Sequence, residues 1–168
     1  KTVEIAQSYG IPVYYHRDIL PGYGSYKGKG EALWKGLYVL KGDIIVWIDT
    51  NSMNIHPKFV YGVVGPLLRE DRLKLVKGFY GRPMPMGDPV YDTASGFLTE
   101  LTARPPLNIF FPELSGIVEP LGGQWACCRE VLEQVPVFSG YGADLGLLID
   151  VFNRFGMPAI GQSDLEER

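Results

Sequence analysis

The first half of the chain alternates between apolar patterns typical of helices and apolar runs typical of strands. Helical spacing of apolar residues predicts helices over 1–9, 31–39 and 57–68. Short apolar runs bounded by Gly or polar residues predict strands over 11–15, 43–48 and 73–79. The run at 43–48 is continuously apolar, which is typical of a central parallel strand buried on both faces.

The second half reads as more helical. Residues 81–96 contain three Pro and three Gly, which predicts a long loop of the kind that is often functional. Helices are predicted over 100–110, 129–134 and 144–155, and a last strand over 159–163. Helices alternating with strands indicate βαβ units and therefore an α/β fold.

Composition narrows the classes of protein that remain. The 168 residues match one domain of ordinary globular composition, with 46% hydrophobic and 21% charged residues. A net charge of −3 argues against electrostatic capture of nucleic acid. The two cysteines, Cys127 and Cys128, are adjacent and cannot form a disulfide framework, so a reducing cytoplasm is expected. No apolar run approaches the ~18 residues of a membrane span.

Asp49, Thr50 and Asn51 follow directly after the most apolar predicted strand. In open α/β sheets, ligands bind beyond the carboxyl ends of strands, and a carboxylate there can hold a divalent cation that bridges a diphosphate. Asn51 would contribute an amide oxygen without charge. The alternative is that Asp49 caps the next turn through its side chain, and both interpretations stay open.

Glycine-rich segments precede two predicted helices. Gly28-Lys29-Gly30 could bring backbone amides and the Lys29 ammonium close to an anion at a helix N-terminus, although the P-loop spacing is missing. Asp144 follows Gly140-Tyr141-Gly142 at the start of a helix. The residues alone favour Asp144 as a first-turn acid that balances the helix dipole.

Eight stretches together point to one family. They are 28–34 (GKGEALW), 42–49 (GDIIVWID), 56–60 (HPKFV), 65–68 (GPLL), 76–80 (VKGFY), 99–105 (TELTARP), 140–142 (GYG) and 146–150 (GLLID). In this order and spacing the chain resembles the glucosyl-3-phosphoglycerate synthases, which are retaining glycosyltransferases of the GT-A fold. The resemblance implies an incomplete mixed sheet flanked by helices, with residues 1–168 forming one partial domain that lacks the amino-terminal nucleotide-binding strand and the carboxyl-terminal tail.

The resemblance also implies an activity, which is the transfer of glucose from UDP-glucose to 3-phosphoglycerate with retention, assisted by Mg²⁺ or Mn²⁺ in a possible homodimer. It assigns roles to particular residues. These are Asp49 and Asn51 for the metal; Lys29, Asp49, Thr50, Asn51 and Tyr141 for the donor; Leu121 and Asp144 for catalysis at the donor glucose; and Gly96, Phe97, Leu98, Thr99 and Arg168 for the acceptor.

Three residues depart from the family pattern. Asn51 replaces the second metal carboxylate, Phe97 replaces an arginine that binds the acceptor phosphate, and Asp144 is one methylene shorter than the family Glu. Two alternatives therefore stay open beside the family activity. One is a transferase with a different, less polar acceptor, and the other is a non-catalytic module for binding sugar nucleotides or for oligomerisation.

Overall fold

The computed structural model describes residues 2–50, 55–84, 91–93 and 96–166. The chain divides into two compact units, of which unit 1 contains residues 1–41 and 137–143. Unit 2 contains residues 42–136 and 144–168. The expectation that residues 1–168 form a single partial domain stays a prediction.

Unit 1 is built around helix α2 (Lys29–Val39), which follows the shorter α1 (Thr2–Ser8). Short 3₁₀ turns at His16–Asp18 and Pro21–Tyr23 lie between these helices. The strand predicted over 11–15 is wrong, since these residues have no regular structure. Ile11 and Tyr14 are exposed and Pro12 has no N–H to donate, so the apolar run neither packs nor pairs as a strand.

Unit 2 carries a mixed sheet in the part of the chain that the structure describes. Its strands are β1 (Ile44–Trp47), β2 (Leu75–Phe79), β5 (Trp125–Cys128) and β6 (Ile160–Asp164), while β3 (Arg82–Met84) and β4 (Tyr91–Thr93) form a separate antiparallel pair within the predicted long loop. The order in the sheet is β1-β5-β2-β6. Strand β5 is antiparallel to both of its neighbours, and β2 is parallel to β6. The predicted mixed sheet is confirmed.

The central position predicted for β1 among parallel strands is wrong. Among the described residues β1 lies at the edge of the sheet and pairs only with β5, to which it is antiparallel, although it runs in the same direction as β2 and β6. Burial was inferred more successfully, because Ile45 is buried and Ile44, Val46 and Ile48 pack against the core cluster. A continuous apolar run indicates that both faces of a strand are covered. It does not predict the direction of the neighbouring strand.

Helices cover the sheet and end close to the predicted positions. They are α3 (Lys58–Arg69), a π-helical turn (Thr99–Ala103) that leads into α4 (Arg104–Phe110), α5 (Arg129–Leu132) and α6 (Ala143–Phe155). Phe59, Val63 and Leu67 repeat every fourth residue on α3 and bury one face of that helix in a cluster with Val76 and Leu165. No helix in the described ranges is long and apolar enough to cross a membrane.

Candidate active site

Asp49 lies just beyond the end of β1, as predicted, and its carboxylate is held by a neighbour on the same strand. The indole Nε1 of Trp47 donates a hydrogen bond to Asp49 Oδ1 at 3.0 Å. Thr50 follows in an exposed turn. Asn51, the second predicted metal ligand, lies outside the described residues. The carboxylate of Asp49 thus has a fixed orientation past the strand end.

Gly123 accommodates this carboxylate. A Cβ added at Gly123 would overlap both carboxylate oxygens of Asp49. Gly123 is therefore required by the position of Asp49, a role that sequence reasoning missed. The available signal was the Gly122-Gly123 pair immediately before Gln124 and β5.

The carboxylate of Asp144 is held in a similar way by a second tryptophan. Trp125 Nε1 donates a hydrogen bond to Asp144 Oδ1 at 3.0 Å, and both side chains are buried. Trp125 lies directly opposite Trp47 in the register of β1 and β5. The two indole rings are stacked, with centroids 6.3 Å apart and planes 14° from parallel. Two candidate acidic residues, Asp49 and Asp144, are thus linked through one pair of stacked indoles.

Leu121 lies in the turn that leads into β5 and is half-buried. This turn is fixed at its centre by a buried lysine, since Lys77 Nζ donates a hydrogen bond to the carbonyl of Gly122 at 2.6 Å. The backbone N–H of Gly122 donates to the carbonyl of Glu119 at 3.1 Å. Leu121, which the resemblance assigns to the donor glucose, therefore lies on a rigid segment two residues before Gly123, the glycine that accommodates Asp49.

The predicted acceptor segment, 96–99, is attached to one buried carboxylate. Glu119 Oε1 accepts a hydrogen bond from the Thr99 hydroxyl at 2.5 Å, and Oε2 accepts one from the Gly96 N–H at 3.0 Å. Phe97 and Leu98, between these two anchors, are 55% and 64% exposed. The segment is thus fixed at both ends and exposes two apolar side chains between them. Sequence reasoning missed Glu119, and Arg168 lies outside the described residues.

Arg104 secures the segment that precedes Glu119. Its guanidinium donates to the carbonyls of Ser115, Ile117 and Val118 at 2.8, 2.6 and 3.0 Å. The same guanidinium pairs with Glu100 at 3.0 Å. Because one planar group holds several carbonyls, α4 and the segment leading to Glu119 are fixed to each other.

In unit 1, Lys29 is the first residue of α2 and is half-buried. The glycines on either side of it face the chain's own backbone, because a Cβ at Gly28 or Gly30 would overlap the carbonyl oxygen of Ser139 or Phe138. These glycines therefore allow two backbone segments of one unit to pass closely. Tyr141, from the same passing segment, is 90% exposed.

A buried ion pair stabilises the start of α2. Lys35 Nζ lies 3.1 Å from Glu31 Oε1 and donates to the carbonyls of His16 and Gly24 at 2.8 and 2.6 Å. Burial alone raises the pKa of Glu31, but the hydrogen bond from Lys35, the backbone N–H of Tyr26 and nearby positive charge outweigh it. The net pKa of Glu31 is therefore below its usual value, and Glu31 is ionised at neutral pH.

The donor set at Asp49 suits a hard divalent cation that shares its coordination with a substrate. No cluster of three or more His, Cys, Asp or Glu side chains that could hold a metal occurs within the described residues. Magnesium is commonly bound through one or two carboxylates together with substrate phosphates and water. Asp49, fixed through Trp47 and placed against Gly123, fits that pattern of binding.

No protein-family model matches the chain. Among curated proteins, glucosyl-3-phosphoglycerate synthase from Petrotoga mobilis is 54% identical over 168 residues, which are 100% of this chain and 52% of that protein. The synthase of Mycolicibacterium paratuberculosis is 46% identical over 162 residues, 95% of this chain and 49% of that protein. The chain spans about half the length of the curated relatives it matches.

Solved structures give the same result. The Mycobacterium tuberculosis glucosyl-3-phosphoglycerate synthase in complex with UDP superposes with a TM-score of 0.88 at 42% identity, covering 100% of this chain and 56% of that one. Its complex with Mn²⁺, UDP-glucose and phosphoglyceric acid has a TM-score of 0.85 at 43% identity, covering 96% of this chain and 53% of that one. The chain therefore has the α/β fold of the GT-A glycosyltransferases. More particularly, it is homologous over its whole length to the glucosyl-3-phosphoglycerate synthases, which confirms the resemblance in its sequence.

Proposed function

We propose that this chain supplies a site for transfer of glucose from UDP-glucose to 3-phosphoglycerate with retention of configuration. The observation that carries the proposal is the carboxylate of Asp49, fixed by Trp47 beyond the end of β1 and accommodated by Gly123. This is the position at which α/β folds bind ligands. Homology to the synthases, over the full chain, supplies the identity of the substrates.

The donor and the metal belong to the first part of the proposed site. Asp49, with Asn51, would hold Mg²⁺ or Mn²⁺, and Lys29, Thr50 and Tyr141 would contact UDP-glucose. The metal would supply charge neutralisation for the diphosphate leaving group. The Mn²⁺, UDP-glucose and phosphoglyceric acid that occupy the Mycobacterium tuberculosis enzyme support this choice of ligands.

The donor glucose and the acceptor belong to the second part. Leu121 would contact the glucose, and Asp144, oriented by Trp125, would face it. Gly96, Phe97, Leu98, Thr99 and Arg168 would contact the acceptor, with Gly96 and Thr99 anchored on Glu119. In the proposed reaction, the bond from the anomeric carbon to the diphosphate oxygen breaks, a bond to the acceptor hydroxyl oxygen forms, and the proton of that hydroxyl passes to the departing diphosphate oxygen.

A second candidate changes only the acceptor. Phe97 exposes an apolar ring at the position where the family resemblance places a phosphate-binding arginine. A phosphate is best recognised by bidentate guanidinium groups, which a phenyl ring cannot replace. A less polar, unphosphorylated acceptor is the candidate that this observation favours.

We place this activity in the cytoplasm and expect a homodimer, as the family resemblance implies. Both cysteines are free, and burial raises the pKa of the Cys127 and Cys128 thiols. Protonated thiols, one buried and one half-buried, are consistent with a reducing compartment.

Calorimetric titration of the chain with UDP-glucose, with and without Mn²⁺, tests the proposal. A chimera in which this chain replaces the matching half of the Petrotoga mobilis synthase provides the full-length version for turnover assays. We expect Mn²⁺-dependent binding that Asp49→Asn abolishes, and glucose transfer by the chimera. If neither protein binds UDP-glucose, the transferase function is excluded. If the chimera transfers glucose to glycerate in preference to 3-phosphoglycerate, the second candidate replaces the first.

A further inference from the structure

The indoles of Trp47 and Trp125 connect the two carboxylates, Asp49 and Asp144, to which the proposed function assigns roles. Each indole N–H donates to a different carboxylate, Trp47 to Asp49 and Trp125 to Asp144, both at 3.0 Å. The rings themselves stack at 6.3 Å. A substrate-binding acid beyond β1 and a buried acid on α6 are therefore joined by an unbroken series of contacts.

We propose that Trp47 and Trp125 are positioning residues, in which one indole pair sets the orientation of both carboxylates. The proposal rests on the transferase function proposed above. It assigns Trp47 to the binding of the metal and diphosphate through Asp49. It assigns Trp125 to the catalytic step through Asp144.

Strand register places the two rings against each other. Trp47 and Trp125 are directly opposite each other in the antiparallel ladder, so their side chains lie on the same face of the sheet. Stacking at an interplanar angle of 14° leaves each ring little freedom to rotate without displacing the other. Because Trp125 is only 1% exposed, the surrounding core also limits its rotation.

The hydrogen bonds then fix the carboxylates. The two oxygens of a carboxylate are equivalent acceptors in solution. A hydrogen bond to Oδ1 from a rigid donor makes these two oxygens distinct. For Asp49, the neighbouring Gly123 limits the other side, since a Cβ there would overlap the carboxylate. For Asp144, which is 7% exposed, the bond from Trp125 orients a buried carboxylate in the first turn of α6. Each acid therefore presents a defined oxygen to its surroundings.

Replacement of each indole by phenyl removes the N–H and keeps an aromatic ring. Because hydrogen bonds to charged groups are strong, the loss of one should lower the affinity or the rate of the affected step by about 10- to 100-fold. The matched control is Trp34→Phe, because Trp34 lies in unit 1 and packs against Tyr23 and Tyr38, with ring centroids 5.9 Å apart in each pair. Trp47→Phe should weaken binding of Mn²⁺ with UDP-glucose about tenfold or more. Trp125→Phe should leave that affinity nearly unchanged and lower kcat of the chimera at least tenfold.

A second readout needs no activity and reports the contacts directly. In ¹⁵N-labelled chain without metal or substrate, the indole N–H resonance of Trp47 should shift on Asp49→Asn, and that of Trp125 on Asp144→Asn. The Trp34 resonance should move in neither variant. Replacement of Trp125 by benzothienylalanine, which keeps the bicyclic shape and lacks the N–H, should reproduce the kcat loss of Trp125→Phe.

The outcomes separate this inference from the function on which it rests. If wild-type protein binds UDP-glucose and turns over while the Trp47 and Trp125 variants match Trp34→Phe, the positioning role is overturned and the transferase function stands. If both variants lose only melting temperature, with unchanged affinity and kcat, the pair is merely structural and the proposal is wrong. If wild-type protein binds no UDP-glucose, the transferase function fails, and the catalytic role of the pair fails with it even where the indole resonances follow their carboxylates.

Discussion

At the scale of single residues, Gly123 has no space for even one additional methyl group. Gly123→Ala would drive a Cβ into the carboxylate of Asp49, so either Asp49 or the backbone before β5 must move. We expect a loss of about 1–3 kcal/mol in the free energy of unfolding and weaker binding of Mn²⁺ with UDP-glucose. Thermal unfolding and calorimetry measure both quantities.

Gly36→Ala is the matched control for this substitution. Gly36 lies inside α2, and a Cβ there would meet only Leu40 Cδ1 at 4.0 Å, an ordinary contact. Alanine should therefore raise the free energy of unfolding by about 0.5–1 kcal/mol, because it restricts the unfolded chain at a helical position. Equal effects of the two substitutions on the free energy of unfolding and on binding would show that the position of Asp49 does not depend on Gly123.

Asp150 predicts a pH-dependent effect on stability. Its Oδ2 is buried and has no hydrogen-bond partner within the described residues, and burial raises the pKa of the carboxyl group. Since a raised folded-state pKa penalises the ionised form, the penalty is present at neutral pH and is absent below the usual carboxyl value of about 3.9. Asp150→Asn should therefore raise the free energy of unfolding at pH 7, and this gain should vanish as the pH falls toward 3.

Urea unfolding of Asp150→Asn across this pH range measures the effect. Asp18→Asn serves as the control, because the Asp18 side chain is 67% exposed and substitutions at such sites change stability little. A destabilising effect of Asp150→Asn at pH 7 would contradict the prediction and would mean that the carboxylate has a stabilising partner.

At the scale of elements, the start of the π-helical turn depends on Glu119. Glu119→Leu would leave the buried Thr99 hydroxyl and the Gly96 N–H without their acceptor, at a cost of about 1–3 kcal/mol per unsatisfied group. The segment between these anchors would loosen, so we expect a raised KM for the acceptor with little change in the KM for UDP-glucose. Steady-state kinetics of the chimera measure the two constants separately.

Glu119→Gln is the control that keeps this arrangement. Its amide oxygen can accept from the Gly96 N–H, and its NH₂ can donate to the Thr99 hydroxyl, which accepts as well as donates. The acceptor KM should then stay near the wild-type value. A large increase in the acceptor KM for Glu119→Gln would indicate that the negative charge of Glu119 itself matters. Equal kinetics in the wild-type, Glu119→Leu and Glu119→Gln proteins would show that Glu119 has no role in the acceptor segment.

The helices were predictable because their apolar residues repeat with a period that the sequence displays. Phe59, Val63 and Leu67 bury one face of α3, and this pattern places the helix within a residue of its observed bounds. Strand β5 was missed because Trp125–Cys128 is only 4 residues long and has no alternation of apolar and polar residues. Its insertion between β1 and β2 depends on pairing across the chain, which no local pattern encodes.

The candidate site was predictable to a similar extent. Asp49 was found because it follows a strand end, a feature that can be read locally. Its supports were not found, because Gly123 lies 74 positions later in the chain and Trp125 meets Trp47 only through the register of β1 and β5. Glu119 was missed for the same reason, since its partners Gly96 and Thr99 are separated from it by α4.

At the scale of the whole molecule, the acceptor is the property on which the two candidate functions differ. Phe97 is 55% exposed between the anchored Gly96 and Thr99, so an arginine there could extend toward solvent without disturbing the core. In the chimera, Phe97→Arg should lower the KM for 3-phosphoglycerate by about tenfold or more, the usual worth of a charge-assisted hydrogen bond to phosphate. It should leave the KM for glycerate unchanged.

Asn51→Asp tests the donor side of the same molecule independently. A second carboxylate should strengthen Mn²⁺ binding, and the acceptor preference should not change, because in the proposed site the metal would bind the diphosphate of the donor. If Phe97→Arg shifts the preference toward 3-phosphoglycerate while Asn51→Asp acts only on the metal, donor and acceptor recognition are separable, and Phe97 selects a less polar acceptor. A Phe97→Arg chimera with an unchanged preference would mean that the phosphate is recognised by residues other than position 97, and the less polar acceptor would lose its support. If the wild-type chimera shows no turnover and neither substitution produces any, the chain is a binding module that does no catalysis.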